Sequence, residues 1–315
     1  MATMTVAICA RRAENFIGQC LESIFRQTCP PDEVIVAVDD LSDPTADVAR
    51  RYGANVIESR ATGLYEARNA VLNVCSTDYL GFVDADCVMS ECWVDLAKRV
   101  LDSDSDIAAG TGKHPPIGRL TFAGWLHHMW FIVETETTGE TSGVIGGNSY
   151  FRTDALRKVG GWLPLPNHSA AEDLYISLAL RNHGYRIWFE ADAAVKHHYE
   201  TSLRGLFRKA ALMGRDIVVM LRKAGWFGRL WWYTLSIPVM ALSVLLGCLI
   251  LSWYPELGAV LTMLPLFATL LFLTWRFRSL RVAFPRWLAR WVIIWPYSWG
   301  IVKGLLKPLP KVDAT

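Results

Sequence analysis

The chain has 315 residues, is 52% hydrophobic, has a mean hydropathy of +0.23 and carries a net charge of +2. That length suits one or two domains, and the basic residues flank apolar spans, which a membrane explains more simply than a nucleic-acid partner. Seven cysteines at 9, 20, 29, 75, 87, 92 and 248 include no Cys-x-x-Cys pair, so neither a zinc site nor a redox motif is indicated; they read as reduced, mostly buried thiols of a cytosolic domain.

The N-terminus enters a strand almost at once and lacks the charged region and apolar core of a signal peptide. Thr5 to Ala10 is that strand, and Arg11-Arg12-Ala13-Glu14-Asn15 is the loop after it. Phe16, Ile17, Cys20, Leu21, Ile24 and Phe25 follow at helical spacing. Glu33 to Val38 reads as the second strand, closed by Asp39-Asp40. Pro44 opens a helix through Tyr52, and Gly53 stops it. Asn55-Val56-Ile57 is a third strand, Leu64 to Val74 a helix, and Tyr79 to Val83 a buried strand. Alternating strands and helices predict a parallel sheet with helices on both faces. The first repeat has no Gly-x-Gly-x-x-Gly, so a dinucleotide-binding fold is not supported.

Ser90 is expected to cap a helix running to about Leu101, and Ile107 to Gly110 to form another strand. Leu120 to Val133, with its aromatics and paired histidines, predicts a helix against a core or a membrane surface. Gly143 to Phe151 reads as a glycine-interrupted strand open to close approach of a ligand. Glu172-Asp173 opens a helix ended by Gly184, and Tyr185 to Val195 is strand-like, closed by His197-His198.

Beyond Gly225 the composition changes. Trp231 to Tyr254 and Leu257 to Trp275 carry no charge, joined by Pro255-Glu256. Each is long enough to cross a bilayer core. Basic residues flank the pair, among them Arg204, Arg208, Arg215, Arg222 and Arg229 before it and Arg276, Arg278, Arg281 and Arg290 after it. The positive-inside rule then puts the N-terminal part in the cytoplasm. Trp226, Trp231, Trp232, Trp253, Tyr254 and Trp275 stand where interface aromatics are expected. Trp287 to Leu306 is interrupted by Arg290 and Pro296 and reads as a third span or, preferably, an interfacial helix. The expected organisation is a cytosolic catalytic domain over 1–225, a membrane hairpin over 226–275 and a basic, Trp-rich segment over 276–315.

Asp84-Ala85-Asp86 is the most informative motif. If the strand of Tyr79 to Val83 continues through it, its two carboxylates emerge on one side, at the strand end where open α/β sheets bind ligands. Such a pair suits a divalent cation that also holds a diphosphate. A solvated turn after a strand explains the motif alone better, so its neighbours decide. Val6-Ala7-Ile8-Cys9-Ala10 with Glu14-Asn15, Val38-Asp39-Asp40, Ala67-Arg68-Asn69, Gly146-Gly147-Asn148, Gly160-Gly161-Trp162 and Glu172-Asp173 occur in an order that resembles glycosyltransferase family 2 over residues 4 to 215.

The resemblance implies a GT-A fold: an α/β architecture with a mixed, mostly parallel sheet flanked by helices, followed here by C-terminal transmembrane helices. It implies an inverting transfer from a nucleotide-diphosphate sugar (a UDP- or GDP-sugar), with Mn2+ or Mg2+. Asp173 becomes the base, beside Glu172. Ala10, Glu14, Asp39, Asp40, Arg68, Asp84 and Asp86 line the donor side, with either Asp39 or Asp40 at the nucleobase. Asp86 holds the metal, with Asp84 and His198 as further candidates. Gly147, Asn148 and Trp162 face the acceptor, and His197, Arg208 and Arg215 are candidate diphosphate contacts. Arg208-Lys-Ala-Ala-Leu-Met-Gly-Arg215 departs from the Gln-x-x-Arg-Trp motif of processive members, which argues for transfer of a single sugar. The expected acceptor is lipid-linked, with membrane lipids as partners. The alternatives are a polyprenyl-phosphate sugar synthase, disfavoured by Cys87-Val88-Met89-Ser90 after the Asp-x-Asp, and a nucleotide-sugar-binding scaffold without catalysis.

Overall fold

The computed structural model describes residues 2–131, 137–165, 167–168 and 170–309. Its described residues form two compact units, one of residues up to Gly118 together with 137 to His198, the other of residues from Arg119 to 131 together with Tyr199 to Leu309.

The first unit begins with β1 (Met4–Ala10), α1 (Ile17–Phe25), β2 (Glu33–Val38), α2 (Pro44–Arg51), β3 (Asn55–Glu58), α3 (Leu64–Val74) and β4 (Tyr79–Val83). Next come β5 (Cys87–Met89), α4 (Trp93–Ser103) and β6 (Ile107–Gly112). After α5 (Phe122–Phe131), which belongs to the second unit, the first resumes with β7 (Gly139–Thr141), β8 (Asn148–Arg152), α6 (Thr153–Lys158), α7 (Glu172–Asn182), β9 (Arg186–Glu190) and β10 (Val195–His197). Eight strands make one sheet in the order β3-β2-β1-β4-β8-β6-β9-β7, and β10 and β5 form a separate ribbon. Strands β1 to β4 are parallel, β6 is parallel to β9, and β8 and β7 run against their neighbours.

The N-terminal elements follow the periodicities read from the sequence. Strands β1 and β2 are buried on both faces, as their unbroken apolar runs require. Helix α1 buries Ile17, Cys20, Leu21 and Ile24, one stripe at helical spacing. Asp43 caps α2 by accepting from Thr45 N at 2.9 Å. The sheet's core closes over Trp93, fully buried on α4.

Four expectations change. Helix α4 starts at Trp93, three residues after Ser90, whose hydroxyl donates to Asp192 O at 3.2 Å instead of capping. The glycine-interrupted strand is a turn at Gly146-Gly147, and β8 begins only at Asn148. Tyr185 to Val195 is two strands in different sheets, β9 and β10, separated by a turn. Of the seven cysteines, all free, Cys20, Cys75 and Cys87 are buried, Cys248 is exposed and the rest are half-buried.

The second unit is helical: α5, α8 (Leu203–Lys223), α9 (Phe227–Ile250), α10 (Pro255–Phe277) and α11 (Leu280–Leu306). Leu126 of α5 packs with Leu206, Ala210, Ala289 and Ile293 in an apolar cluster, so this helix lies against a core. Positions 132 and 133 of the aromatic segment fall outside the described residues, as does the side chain of Trp231. Helix α11 runs unbroken through Arg290 and Pro296. It lies along α8 in the same direction, so closely that a Cβ on Gly300 would stand 2.0 Å from Ala211 O. Arg222 of α8 donates to the carbonyls of Gly304, Leu305 and Lys307 at the far end of α11. That packing outweighs the ~3 kcal/mol that an interior proline costs a helix. Among the described residues, one helix, Pro255–Phe277, is long and apolar enough to cross a membrane, and Thr234–Ile250 is a shorter apolar stretch. Both expose large apolar side chains, including Val239, Leu242, Leu264 and Phe267, while Trp253 and Trp275 are about three-quarters exposed at the two ends of α10 (74% and 75%).

Candidate active site

Strands β1, β2 and β4 are parallel neighbours, so their C-terminal ends, Ala10, Val38 and Val83, reach one edge of the sheet. Ligands of open α/β sheets bind at such an edge. Ala10 is buried there, and Glu14 is exposed on the loop beyond.

The two acids after β2 separate. Asp40 is exposed and accepts from Ser42 N at 2.7 Å, which holds its carboxyl below the usual range. Asp39 is half-buried, 3.3 Å from Arg11 Nε, and desolvation raises its carboxyl against the pull of Arg11. Of the pair, Asp39 is the one withdrawn from solvent.

Asp84 and Asp86 do not share a strand face, contrary to the expectation from alternation. Strand β4 stops at Val83, and Cys87 N donates to Asp84 O at 3.1 Å across a turn. The carboxylates take different partners. Because β8 runs against β4 with Asn148 opposite Val83, the Gly146-Gly147 turn arrives beside Asp84. A Cβ on Gly147 would stand 2.4 Å from Asp84 Oδ2, and one on Gly146 would stand 2.6 Å from Glu172 Oε1. The two glycines thus thread a turn between two carboxylates, which any side chain would block.

Asp86 is met from the other side by the β5–β10 ribbon, whose register sets Cys87 opposite His197. Asp86 Oδ1 lies 3.5 Å from His197 Nε2 and 3.8 Å from Cys87 Sγ. His197 stacks on His114 at 4.9 Å, and His114 Nε2 is 3.9 Å from Cys87 Sγ. His198, the expected metal candidate, instead packs its ring on Phe16 at 5.4 Å and donates its backbone N–H to Asp86 O. The histidine brought to the Asp86 carboxylate is therefore His197. Ligand atoms of Asp86, Cys87 and His197 all lie within 4.8 Å of one another. A carboxylate and an imidazole on one point suit Mn2+, and with diphosphate oxygens also Mg2+, so these residues fit a divalent cation.

Glu172 and Asp173 open α7 directly after Ala171, which holds a left-handed φ of 65°. Glu172 is buried, with Oε1 3.4 Å from Arg68 Nη2. Arg68, expected as an open cation near the diphosphate, is only 1% exposed. It donates to Gly146 O at 3.0 Å and lies over the rings of Phe82 (4.9 Å) and Trp162 (5.6 Å). It anchors the glycine turn and Glu172 from beneath. Burial, then the charge of Asp173, raises the Glu172 carboxyl against the opposing pull of Arg68. Asp173 is half-buried and accepts from Leu174 N at 2.7 Å; desolvation still raises its carboxyl. The Cys9 thiol, near the end of β1, feels Arg68, Asp84, Glu172 and Asp39 together and is pushed up to about 12, chiefly by burial. These groups thus occupy one neighbourhood.

Asn148 and Trp162, expected on the acceptor side, are internal struts. Asn148 is fully buried: Oδ1 accepts from Trp93 Nε1 at 2.7 Å, and Nδ2 donates to the carbonyls of Lys113 and Ala193. Trp162 is 1% exposed, its backbone clasped by the amide of Asn69 and its ring edge-on to Phe82 and Phe151. Arg208 is exposed on α8 in the second unit, where Arg215 bonds the buried Asp216 at 2.5 Å. The sequence reading missed Cys87 and His114. Cys87 adjoins Asp86 in the chain, but His114 arrives through tertiary packing that no local spacing announces.

Comparison with known proteins agrees with this geometry. The family model described as glycosyl transferase family 2 matches residues 5–160. The chain is 26% identical over 195 residues to the glycosyltransferase AglE of Haloferax volcanii, covering 59% of this chain and 63% of AglE. It is 41% identical over 91 residues to a Staphylococcus aureus 4,4'-diaponeurosporenoate glycosyltransferase, covering 27% of this chain and 24% of that one. The chain spans less than two thirds of the curated relatives it matches. Among solved structures it is similar in fold to the mannosyltransferase PcManGT of Pyrobaculum calidifontis, in complex with GDP-Man and Mn2+, with a TM-score of 0.61 and 17% identity, covering 96% of this chain and 87% of that one. With the strand order, the turn at Asp84 to Asp86 and the acids at the start of α7, the match makes residues 5–160 a glycosyl transferase family 2 domain on the GT-A fold.

Proposed function

We propose that the chain is an inverting, non-processive glycosyltransferase that moves one sugar from a nucleotide-diphosphate sugar to a lipid-linked acceptor at the cytoplasmic face of a membrane. The observation that carries the reading is the pairing of Asp86 with His197 at the sheet edge where Asp39 and Asp84 also stand. Asp86 and His197 would hold the divalent cation, which when bound neutralises charge developing on the departing diphosphate. Asp39 would bind the nucleoside, since Asp40 spends its carboxylate on Ser42.

The acceptor hydroxyl needs a base. Asp173 is the group for it: half-buried, and raised towards useful basicity by desolvation. Glu172 is turned to Arg68 and holds the start of α7 in place. The Gly146-Gly147 turn lies between Asp84 and Glu172, joining the donor and acceptor sides.

The lipid-linked acceptor is supported by the apolar helix Pro255–Phe277, by the shorter apolar stretch before it, and by basic residues on α8 and α11. Positive side chains beside a bilayer attract the phosphates of anionic lipids. Similar proteins include a 4,4'-diaponeurosporenoate glycosyltransferase and a mannosyltransferase solved in complex with GDP-Man and Mn2+. The test incubates the full chain in detergent with radiolabelled UDP- and GDP-sugars, Mn2+ and lipid extract. Label should enter the organic phase and be lost in Asp173→Asn and Asp86→Ala. Undiminished transfer by either variant refutes the site, and a single sugar on polyprenyl phosphate would reassign the protein as a synthase of that lipid.

A further inference from the structure

The cation site contains a donor that the nucleotide-sugar reading does not use. Cys87 follows Asp86 directly, and the β5–β10 register turns it towards His197. Its Sγ lies 3.8 Å from Asp86 Oδ1 and 3.9 Å from His114 Nε2, while Asp86 Oδ1 lies 3.5 Å from His197 Nε2. A tetrahedral cation with bonds of about 2.0 Å to N or O and 2.3 Å to S holds its donor atoms about 3.3–3.6 Å apart. The distances to Asp86 Oδ1 are within a few tenths of an ångström of that spacing. Thiolate ligands select soft cations, whereas carboxylates and water suit Mg2+ and Mn2+.

We propose that Cys87, Asp86 and His197 form a mixed sulfur, nitrogen and oxygen site for a thiophilic divalent cation such as Zn2+, Co2+ or Cd2+, competing at the same position with the Mn2+ or Mg2+ of catalysis. The proposal rests on the cation reading above and adds a ligand to it. On binding, the Cys87 S–H bond breaks, its proton leaves to solvent and the sulfur electron pair forms the S–metal bond, with no change of oxidation state. His114 stands beside the sulfur as a hydrogen-bond partner that orients it. The bound soft ion would occupy the position needed for the sugar donor's diphosphate, so trace Zn2+ inhibits while Mn2+ activates.

The experiment uses the full chain in detergent, titrated separately with Co2+ and Mn2+. Absorbance reads a thiolate-to-Co2+ charge-transfer band, and electron paramagnetic resonance reads the free Mn2+ remaining. The parent should develop the band, and added Mn2+ should suppress it. Cys87→Ser should lose the band and bind Co2+ at least about tenfold more weakly, while still binding Mn2+. His197→Ala should weaken both ions. A band that survives in Cys87→Ser, or Mn2+ binding by the parent without any band, overturns the thiol ligand and leaves the cation site standing. Failure of the parent to bind Mn2+ overturns both.

Discussion

The buried pair Arg68–Glu172 ties the Gly146-Gly147 turn to the start of α7, and its removal has a calculable cost. The charges are 3.4 Å apart, with side chains 2% and 8% exposed. Burial raises the Glu172 carboxyl to about 8, so the pair is fully charged only above that pH, where its separation gives an attraction of about 5 kcal/mol at an effective dielectric of about 20, before desolvation is subtracted. Breaking a buried pair from one side costs about 3–5 kcal/mol. The two single variants should not cost the same. Arg68→Met leaves a carboxylate that can take up a proton, which caps the loss near about 3 kcal/mol. Glu172→Leu leaves a guanidinium that does not deprotonate, so its loss is nearer about 5 kcal/mol. A fold of this size shifts by about 2–4 °C per kcal/mol. Arg68→Met should therefore lower Tm by about 6–12 °C and Glu172→Leu by about 10–20 °C. The double variant replaces both charges by apolar groups and should recover at least about 2 kcal/mol of the summed loss. Tryptophan fluorescence during thermal unfolding of the full chain in detergent, held above the pH at which Glu172 ionises, reads all four proteins. Additive single effects would refute the coupling, and equal single effects would refute the asymmetry.

The remaining predictions concern the same edge of the sheet. Asp173→Asn should lower kcat by about 100- to 10,000-fold while leaving nucleotide-sugar binding, followed by thermal shift, unchanged. The base must be ionised and its carboxyl is raised, so the acid limb of the parent's kcat/KM profile should lie above the ordinary Asp value of about 3.9. Raised carboxyls stabilise the fold below their unfolded values and lose that contribution as pH rises through their folded ones. The parent's Tm should consequently fall from mildly acid to neutral pH, and Glu172→Gln should flatten the slope. Gly147→Ala drives a Cβ to 2.4 Å from Asp84 Oδ2 and should weaken donor binding in the same thermal-shift assay, with Gly160→Ala as the comparison that leaves donor binding intact. Ala171→Gly relieves a left-handed alanine and should raise Tm, by a net gain of about 0.5–1 kcal/mol.

What the sequence disclosed, and what it withheld, divides along physical lines. Helix α3 and strand β4 were readable to the residue because apolar spacing and flanking turns are local signals. The order of the motifs was readable too, although the sheet sets the strands that carry them in the order β3-β2-β1-β4. Parity was not. His197 and His198 are chemically identical neighbours, and only the pairing of β10 with β5 decides which imidazole meets Asp86. A one-residue shift exchanges the two faces of a strand, so local sequence cannot choose between them. The fate of charged side chains was equally hidden. Arg68 was legible as a cation, but its partner is 104 positions away on α7, and enclosure by Phe82 and Trp162 makes it an internal tie. Asn148 looked available for a substrate until Trp93, Lys113 and Ala193 saturated its amide. In α11, Pro296 and Arg290 signal an interruption only when the helix is considered alone. Packed along α8, with Gly300 admitting the neighbouring backbone and Arg222 binding its last carbonyls, the segment stays helical throughout. In each case the missing quantity was a long-range contact. The residue types announced the chemistry of the candidate site, while the register of two short strands and one buried pair determined which atoms come together there.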